Sequence, residues 1–596
     1  MRRGGAGVSE SPIQVLKFGS SVLASPEYLA NAVHEIYRWW REGKRVVAVV
    51  SAIGSTTDRL LAEAKRLSAR PDEEATAELL ATGEAESVAL LKLALAKAGI
   101  PASALDAARL GIRTRGPLLD ADPVALDADA LHTHLRLRPV LVVPGFVGRH
   151  DDGRLSLLGR GGSDLTALFL AARLGADCRL LKDVPGLFEW DPASDGPAPR
   201  RFATISFADA LELDGAILQK KALAFAQSRG LSFLVGRCAA ARQTLVGATT
   251  TAIASDPVPL APLRVGLLGL GTVGVGVAVH VLRQSERFEL VGAVVRDASK
   301  RRAIDLPEDL VFTHPDGLLG QNPDVLIDCA GNPEAFALRL IGALEQGIRV
   351  ITADKALLAD STGNLADWLE GEQPRLRGSA AVAGAVPALE AVRQSQSEVR
   401  IIEGVLNGTT NFVLERVAEG ASLDDAVREA QELGFAEADP SADLDGLDAQ
   451  RKLALLVHAA WGETLRPDHI ACTGIRAAAE LAARATPHER VRLVARAERF
   501  ANGRIVAEVA PRLLPLDHPM AQAQGEGNAI VIETEEGKRI SLAGKGAGRW
   551  PTAEAVVADL LDLWRERCVE AGIEADEASK SESVKRSSEA SPEEGE

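Results

Sequence analysis

The sequence predicts an α/β protein built from two successive parallel-sheet units. Three observations carry this. Short apolar strands alternate with helical stretches from residue 13 onward, the pattern of a parallel sheet with crossover helices. The alternation stops once, over 246–262, and then restarts. A chain of 596 residues is also too long for one hydrophobic core; its size asks for about three to four structural units.

The elements follow in order. Residues 13–18 (IQVLKF) read as a strand closed by a Gly/Ser turn, 27–41 as a helix, and 45–50 (RVVAVV) as a continuous apolar strand. The pattern continues through 139–144 (PVLVVP), a helix from Asp164 and a strand near 178–184, and finishes by about 247. The first unit is therefore set at 12–245. Residues 246–262 (VGATTTAIASDPVPLAP) are rich in Ala, Thr and Pro and read as a linker. A second unit opens at 263 with LRVGLLGLGTVG and runs through strands at 289–295, 324–329 and 348–352. The tail, set at 568–596, is mostly Glu, Ser and Lys beyond about 575. It cannot bury enough apolar surface to offset its ordering entropy and is expected to be disordered.

Net charge is −16 and the pI is near 5.3. That balance argues against a general nucleic-acid or membrane-surface binder. The five cysteines (Cys178, Cys238, Cys329, Cys472, Cys568) are scattered, with no CxxC pair. This points to a reducing compartment, no disulfide framework and no zinc cluster. No apolar h-region follows Arg2 and Arg3, and no run approaches 18 apolar residues, so neither a signal peptide nor a membrane span is expected. A cytoplasmic protein with small-molecule substrates fits these features.

Residues 264–268 form a buried strand, and Gly269, Gly271 and Gly274 complete GxGxxG ahead of an apolar helix at 273–282. The first glycine permits the tight turn and the second lets a pyrophosphate approach the backbone. The third lets helix and strand pack closely, with the helix N-terminus facing the phosphates. In this order the motif predicts a Rossmann-type dinucleotide site that includes Thr272 and Val273. The next strand, ELVGAVV, ends at Val295, followed by Arg296 and Asp297. An acid at that tip holds a ribose 2′-hydroxyl, whereas an arginine suits a 2′-phosphate. Arg296 comes first and Lys300 follows, which favours NADP over NAD; a solvated turn is the other reading.

Asp448 and Lys452 stand at i and i+4 and share a helix face. Glu437, Asp439, Asp443, Asp445 and Asp448 crowd the same short region beside an apolar helix, LALLVHAAW. Such acid density is unusual for plain surface. These segments, with Thr352-Ala353-Asp354-Lys355, Asn407-Gly408-Thr409-Thr410-Asn411, the run 433–452 and GKGAGRWPTAEAVVADL (544–560), resemble homoserine dehydrogenase over about 263–567. The resemblance implies a Rossmann domain (263–385), an α+β substrate and dimerisation domain (386–510) and a C-terminal return segment (511–567). It implies that Lys452 transfers the proton, that Asp448 orients it, and that Lys355 sits between nicotinamide and substrate. Glu437, Asn407 and Thr409 would bind substrate; Thr352 and Gly546 would border the cofactor. Two departures stand out. Asp354 replaces a usual Asn, which adds charge beside the cofactor. Ser379 opens SAAVAGAVP (379–387) where the family tends to place an acid near a monovalent-cation site, so weak cation binding is expected. Gly384 and Pro387 are retained.

Gly159-Arg160-Gly161-Gly162-Ser163-Asp164-Leu165-Thr166 is a glycine-rich turn leading into a helix, suited to anions. Lys17-Phe18-Gly19 ends the first strand, where a lysine can neutralise a transferring phosphoryl group. With Ser51-Ala52, Gly83-Glu84 and Asp183 in LLKDVPGLFEWDP, residues 12–245 resemble the amino-acid kinase family, aspartokinase most closely. The resemblance implies that Lys17 and Asp164 are catalytic and that Arg160, Glu84 and Ser51 bind the amino-acid substrate. Asp183 would lie on the nucleotide side and ATP with magnesium would be the donor; no metal ligand is assigned. Three departures accompany it: Val22 replaces a hydroxyl residue, Lys182 a Thr, and Gln219-Lys220 a His-Pro. Lys182 and Lys220 are both positive and could serve phosphate.

Two readings of the whole chain stand. One is a bifunctional aspartokinase–homoserine dehydrogenase without the regulatory ACT domains usual between such halves, and so with weak threonine or lysine feedback. The other is a dehydrogenase whose kinase-like half is a scaffold or ligand-binding module. A kinase acting on glutamate is a third, lesser reading. A homodimer or homotetramer is expected, with the stretch 400–406 (RIIEGVL) able to extend across it.

Overall fold

The computed structural model describes residues 11–571, apart from 193, 195–197, 214–216, 241, 256–259, 332, 370–372, 396–397, 434, 438, 479–480 and 482–484. The expected disordered tail beyond 571 lies outside the described residues.

The N-terminal unit is built on a nine-stranded sheet. Its centre is the strand Ile13–Phe18, paired in parallel with Arg45–Val50 on one side and Asp177–Leu181 on the other. All six residues of the central strand are buried, as expected for a strand covered on both faces. That placement puts Lys17 at the strand's carboxyl end, where parallel sheets hold their ligands. The expected linker at 246–262 needs correction. Residues Gln243–Gly247 form a strand of this sheet, and Ala252–Ile253 pair antiparallel with Phe202–Ser206 at its edge. Composition suggested a linker, but Val246 is fully buried and the backbone pairs.

The second unit holds a six-stranded, all-parallel sheet with Leu263–Leu268 near its middle. A third sheet, also six-stranded, follows. It carries Val399–Val405 between Glu489–Arg499 and Gly527–Thr534, antiparallel to both. Because this strand is paired on both sides, it has no free edge to extend across a dimer, contrary to the expectation for 400–406. The division at 510/511 also falls inside one strand, Ile505–Pro515. The last helix among the described residues, Arg549–Glu570, returns to pack on the dinucleotide unit; Gly276 faces Ala553 closely. Cys568 is buried within that helix, so the tail starts later than 568. All five cysteines are unpaired.

The two units share a packed boundary. The kinase-side helix Leu29–Arg41 buries His34, Glu35, Tyr37, Trp40 and Arg41. Its apolar cluster includes Ala385 and Ala558 from the second unit. His34 lies between two residues of that unit, its Nδ1 bonded to Glu554 and its Nε2 3.2 Å from His280 Nδ1. The two ring nitrogens of His34 face different partners, which links the trio in a hydrogen-bonded chain. No helix among the described residues is long and apolar enough to cross a membrane.

Candidate active sites

The dinucleotide turn assigns each glycine a distinct role. Gly269 has φ +95°, and a Cβ there would lie 2.9 Å from Ala330 Cα. Gly274 packs directly on the Gly269 carbonyl, with no room for a side chain. At Gly271, by contrast, a Cβ would meet nothing within 4 Å. The turn is closed where the protein packs and open where a pyrophosphate would approach, at the start of the helix Thr272–Leu282. The groups present therefore fit a dinucleotide. Thr272 is exposed and Val273 half-buried at that helix start. At the tip of the second strand Arg296 is exposed. Asp297 folds its own turn, its Oδ1 accepting from Ser299 N at 2.9 Å and Ser299 Oγ at 2.6 Å. Thr352 is fully buried and donates to Asp328 Oδ2 at 2.9 Å; its side chain fixes the strand end rather than facing open space. Gly546 stands at the join of the third sheet and the helix Arg549–Glu570, packed on Asn528.

A second cluster forms where the helix Leu447–Trp461 passes the start of the helix Lys355–Leu369. Asp448 is buried and bridges two lysines: Lys452 Nζ lies 2.8 Å from Oδ2, and Lys355 Nζ pairs with Oδ1. Burial pushes the Asp448 carboxyl up, but the two ammonium groups outweigh it and hold the carboxyl well below the usual range. Burial lowers the pKa of Lys452, which Asp448 offsets only in part. Lys355 is also opposed by burial, yet Asp448, with Asp443 and Glu437 behind it, raises it above the ordinary lysine value. Lys452 Nζ also donates to the Leu406 carbonyl at 2.6 Å. Asn407 Nδ2 reaches Asp448 Oδ2 at 2.9 Å and Asp443 Oδ1 at 2.7 Å, while Asn407 Oδ1 caps the next helix at Thr410 N. The structure thus joins Lys355, Asn407, Asp448 and Lys452 in one site, with Glu437 exposed at its edge. Thr409 does not point there; its hydroxyl donates to the Phe435 carbonyl at 2.8 Å and anchors the 435–437 segment. Asp354 is buried, and its Oδ1 accepts from Ala356 N and Leu357 N. It caps the helix that Lys355 begins, a task Asn and Asp perform equally well.

In the N-terminal unit Asp164 is buried between two lysines, Lys17 and Lys182, each 2.7 Å away. Asp164 stays ionised: burial raises its carboxyl, and the two lysines bring it down to about 2. Burial lowers Lys182 to about 8. Glu84 is buried with Oε2 unpartnered, and burial pushes its carboxyl up to about 8 despite Lys17. Gly159 and Gly161 both have φ +75°, which turns the loop into the helix Gly162–Leu174. Arg160 is exposed on that loop and Ser51 is buried at the end of its strand. Asp183 is exposed, 3.0 Å from Ser21 Oγ. Of the two replacement lysines, Lys182 joins the cluster. Lys220 is exposed, and it is Lys221 that clamps the glycine loop through Asp120 and the Leu158 carbonyl.

Three family models match in succession: the amino acid kinase family over 12–236, the homoserine dehydrogenase NAD-binding domain over 269–373, and homoserine dehydrogenase over 387–561. Among characterised relatives, the homoserine dehydrogenase of Corynebacterium glutamicum is 35% identical over 326 residues, covering 52% of this chain and 73% of the relative. That of Mycobacterium leprae is 38% identical over 321 residues, covering 51% and 72%. The chain belongs to the homoserine dehydrogenase family. An amino-acid kinase domain is fused ahead of the dehydrogenase, and the lysine–aspartate site draws Lys355 from the matched NAD-binding segment and Asn407, Asp448 and Lys452 from the segment matched after it.

Sequence reasoning missed several residues that complete the dehydrogenase site. The Leu406 carbonyl is a backbone group and leaves no sequence signal. Asp443 was visible only as part of the acid-rich run. The surroundings of Ser379 could not be read at all. There the guanidinium of Arg41, from the kinase domain, lies 3.0 Å from the serine hydroxyl.

Proposed function

We propose that the C-terminal part of the chain interconverts L-aspartate 4-semialdehyde and L-homoserine with NADP. Its N-terminal part would phosphorylate L-aspartate from magnesium–ATP, in cytoplasmic threonine and methionine biosynthesis. The observation that carries the dehydrogenase reading is the buried Asp448 bracketed by Lys452 and Lys355. Lys452 gives a proton to the new alkoxide in reduction and takes the hydroxyl proton in oxidation; its lowered pKa aids the second role. Asp448 and the Leu406 carbonyl fix the lysine's direction. Lys355, kept charged, stabilises the substrate oxygen, and Glu437 at the rim receives the substrate ammonium. When bound, the nicotinamide supplies or accepts the hydride. NADP is favoured because Asp297 spends its carboxylate on its own turn, leaving Arg296 to meet a 2′-phosphate. Thr352 and Gly546 support this site through the backbone. Weak dependence on a monovalent cation is supported by the guanidinium already beside Ser379.

In the kinase half Lys17 and Lys182 stand ready to neutralise the transferring phosphoryl group, and Asp164 holds both. Asp164 is taken up by these lysines, so magnesium would travel with the nucleotide phosphates near Asp183. Glu84 receives the substrate ammonium, Arg160 a carboxylate, with Ser51 beside them. A scaffold role is supported by the packed boundary, but it does not compete with catalysis. A homodimer or homotetramer would pair elsewhere than along the Val399–Val405 strand, which is paired on both sides.

Aspartate-dependent acyl phosphate, trapped with hydroxylamine, tests the kinase; homoserine oxidation in the same preparation tests the dehydrogenase. Hydroxamate formed by the wild type and lost in Lys17→Ala supports the bifunctional reading. Its absence with oxidation intact would leave a dehydrogenase carrying a scaffold.

A further inference from the structure

Arg41 ends a kinase helix, yet its side chain serves the dehydrogenase. Nη2 donates to Glu390 Oε1 and Asp559 Oδ1, each at 2.6 Å, and to Ser379 Oγ at 3.0 Å; Nη1 donates to Asp562 Oδ2 at 3.1 Å. The Arg41 carbonyl accepts from Gln394 Nε2 at 2.9 Å. Three carboxylates therefore converge on one buried guanidinium. Burial alone would raise the Glu390 carboxyl, and Arg41 brings it below its ordinary value. A buried acid cluster that loses its cation must take up protons or spread apart.

Ser379 opens the 379–387 segment, and Asp559 Oδ2 also holds its backbone N–H at 3.1 Å. The segment turns through Ala383 at φ +59° and Gly384 at φ +60°. Ala385 N then donates to the Lys545 carbonyl at 3.1 Å, and Lys545 N to the kinase residue Gly99 at 3.2 Å. Gly384 packs so closely that a Cβ there would lie 2.6 Å from Gly546. Gly546 packs in turn on Asn528. Asn528 Nδ2 donates to the Leu406 carbonyl at 3.2 Å, the carbonyl that also holds Lys452. Contacts thus run without a gap from the kinase helix to the dehydrogenase lysine.

We propose that Arg41 is a positioning residue of the dehydrogenase. The kinase domain buttresses the dehydrogenase site from behind: Arg41 locks the 379–387 segment that supports the Gly546–Asn528–Leu406 stack behind Lys452. This rests on the proton-transfer reading of Lys452. Contiguity alone does not establish coupling, so the test measures it in the full chain. Arg41→Ala should lower kcat for homoserine oxidation roughly ten- to a hundredfold, the range for a slightly misplaced catalytic group. The aspartate-dependent turnover should stay within about twofold, since the kinase site does not touch this cluster. Millimolar guanidinium chloride should restore much of the lost kcat in Arg41→Ala and none in Lys452→Met. Arg41→Lys keeps the charge without the fork and should show a smaller kcat loss; it carries the test if the alanine variant does not fold. Wild-type kcat in both Arg41 variants would overturn the proposal, as would a parallel fall of both activities with no guanidinium rescue. A fully active Lys452→Met protein would instead overturn the reading of Lys452, whatever Arg41 does.

Discussion

Replacing Lys452 by methionine keeps the length and apolar stem of the side chain and removes only the ammonium. The variant loses the 2.6 Å bond to the Leu406 carbonyl and the 2.8 Å pair with Asp448. Proton transfer by a positioned group contributes about 10²–10⁴ in rate, or roughly 3–5 kcal/mol of barrier. Asp448 is not left bare, because Lys355 and Asn407 still reach it. The stability cost should therefore stay near the low end for a lost buried partner, about 1–2 kcal/mol. That is a fall of several degrees in Tm for a domain of this size. Steady-state oxidation of homoserine with NADP, with thermal unfolding of the same samples, separates the two effects. The expected result is a kcat reduced at least a hundredfold, a KM for NADP close to wild type and a modest change in Tm. The pH profile adds a sign. Oxidation needs neutral Lys452, so wild-type kcat should rise as pH climbs toward the lysine's lowered pKa, and the variant should lose that rise. A kcat within about tenfold of wild type with an unchanged pH profile would refute Lys452 as the proton-transfer group.

Other outcomes follow from the same geometry. Arg296→Ala should raise the KM for NADP at least about tenfold and leave that for NAD nearly unchanged; equal effects on both would point to a solvated turn. Glu84 sits at about 8 in the free protein and must be ionised to hold an ammonium group. The KM for aspartate should thus fall by up to about tenfold per unit as pH rises toward 8 and level off above it, and Glu84→Gln should abolish that slope. His280 is held well below its ordinary value by burial first, and then by His34, Arg283 and Lys97. The unfolded chain binds its proton below about pH 6.5 while the folded one does not. Its contribution is therefore present above that value and is lost as pH falls below it, by up to about 1.4 kcal/mol per unit. Thermal unfolding should show this acid-side loss in wild type and a flatter curve in His280→Asn. Asp354→Asn should keep kcat within about threefold, since either residue caps the Lys355 helix; a large change would assign the Asp354 charge a direct role.

The parts of this protein legible in its sequence are those whose partners lie nearby along the chain or that repeat a local geometry. GxGxxG declared itself because a turn, an open approach and a tight helix–strand contact all fall within six residues, and the structure gives each glycine that role. Asp448 and Lys452 were legible because one helical turn joins them. The motifs mark Thr409 and Thr352 as site residues, but a hydroxyl's direction is set by tertiary context: Thr409 anchors the 435–437 segment and Thr352 ties two strand ends together. The segment 246–253 misled because Ala and Thr describe a linker and an edge strand equally well; only the pairing with Phe202–Ser206 decides. Arg41 was out of reach for a stronger reason. In sequence it is the last residue of an amphipathic helix, an ordinary place for a solvated arginine. What makes it special is the convergence of Ser379, Glu390, Asp559 and Asp562, more than three hundred positions away. Neither half alone contains that site. A fusion of two enzymes can therefore create catalytic support that belongs to neither parent motif, and it will be found at the packed boundary between them rather than in either active-site signature.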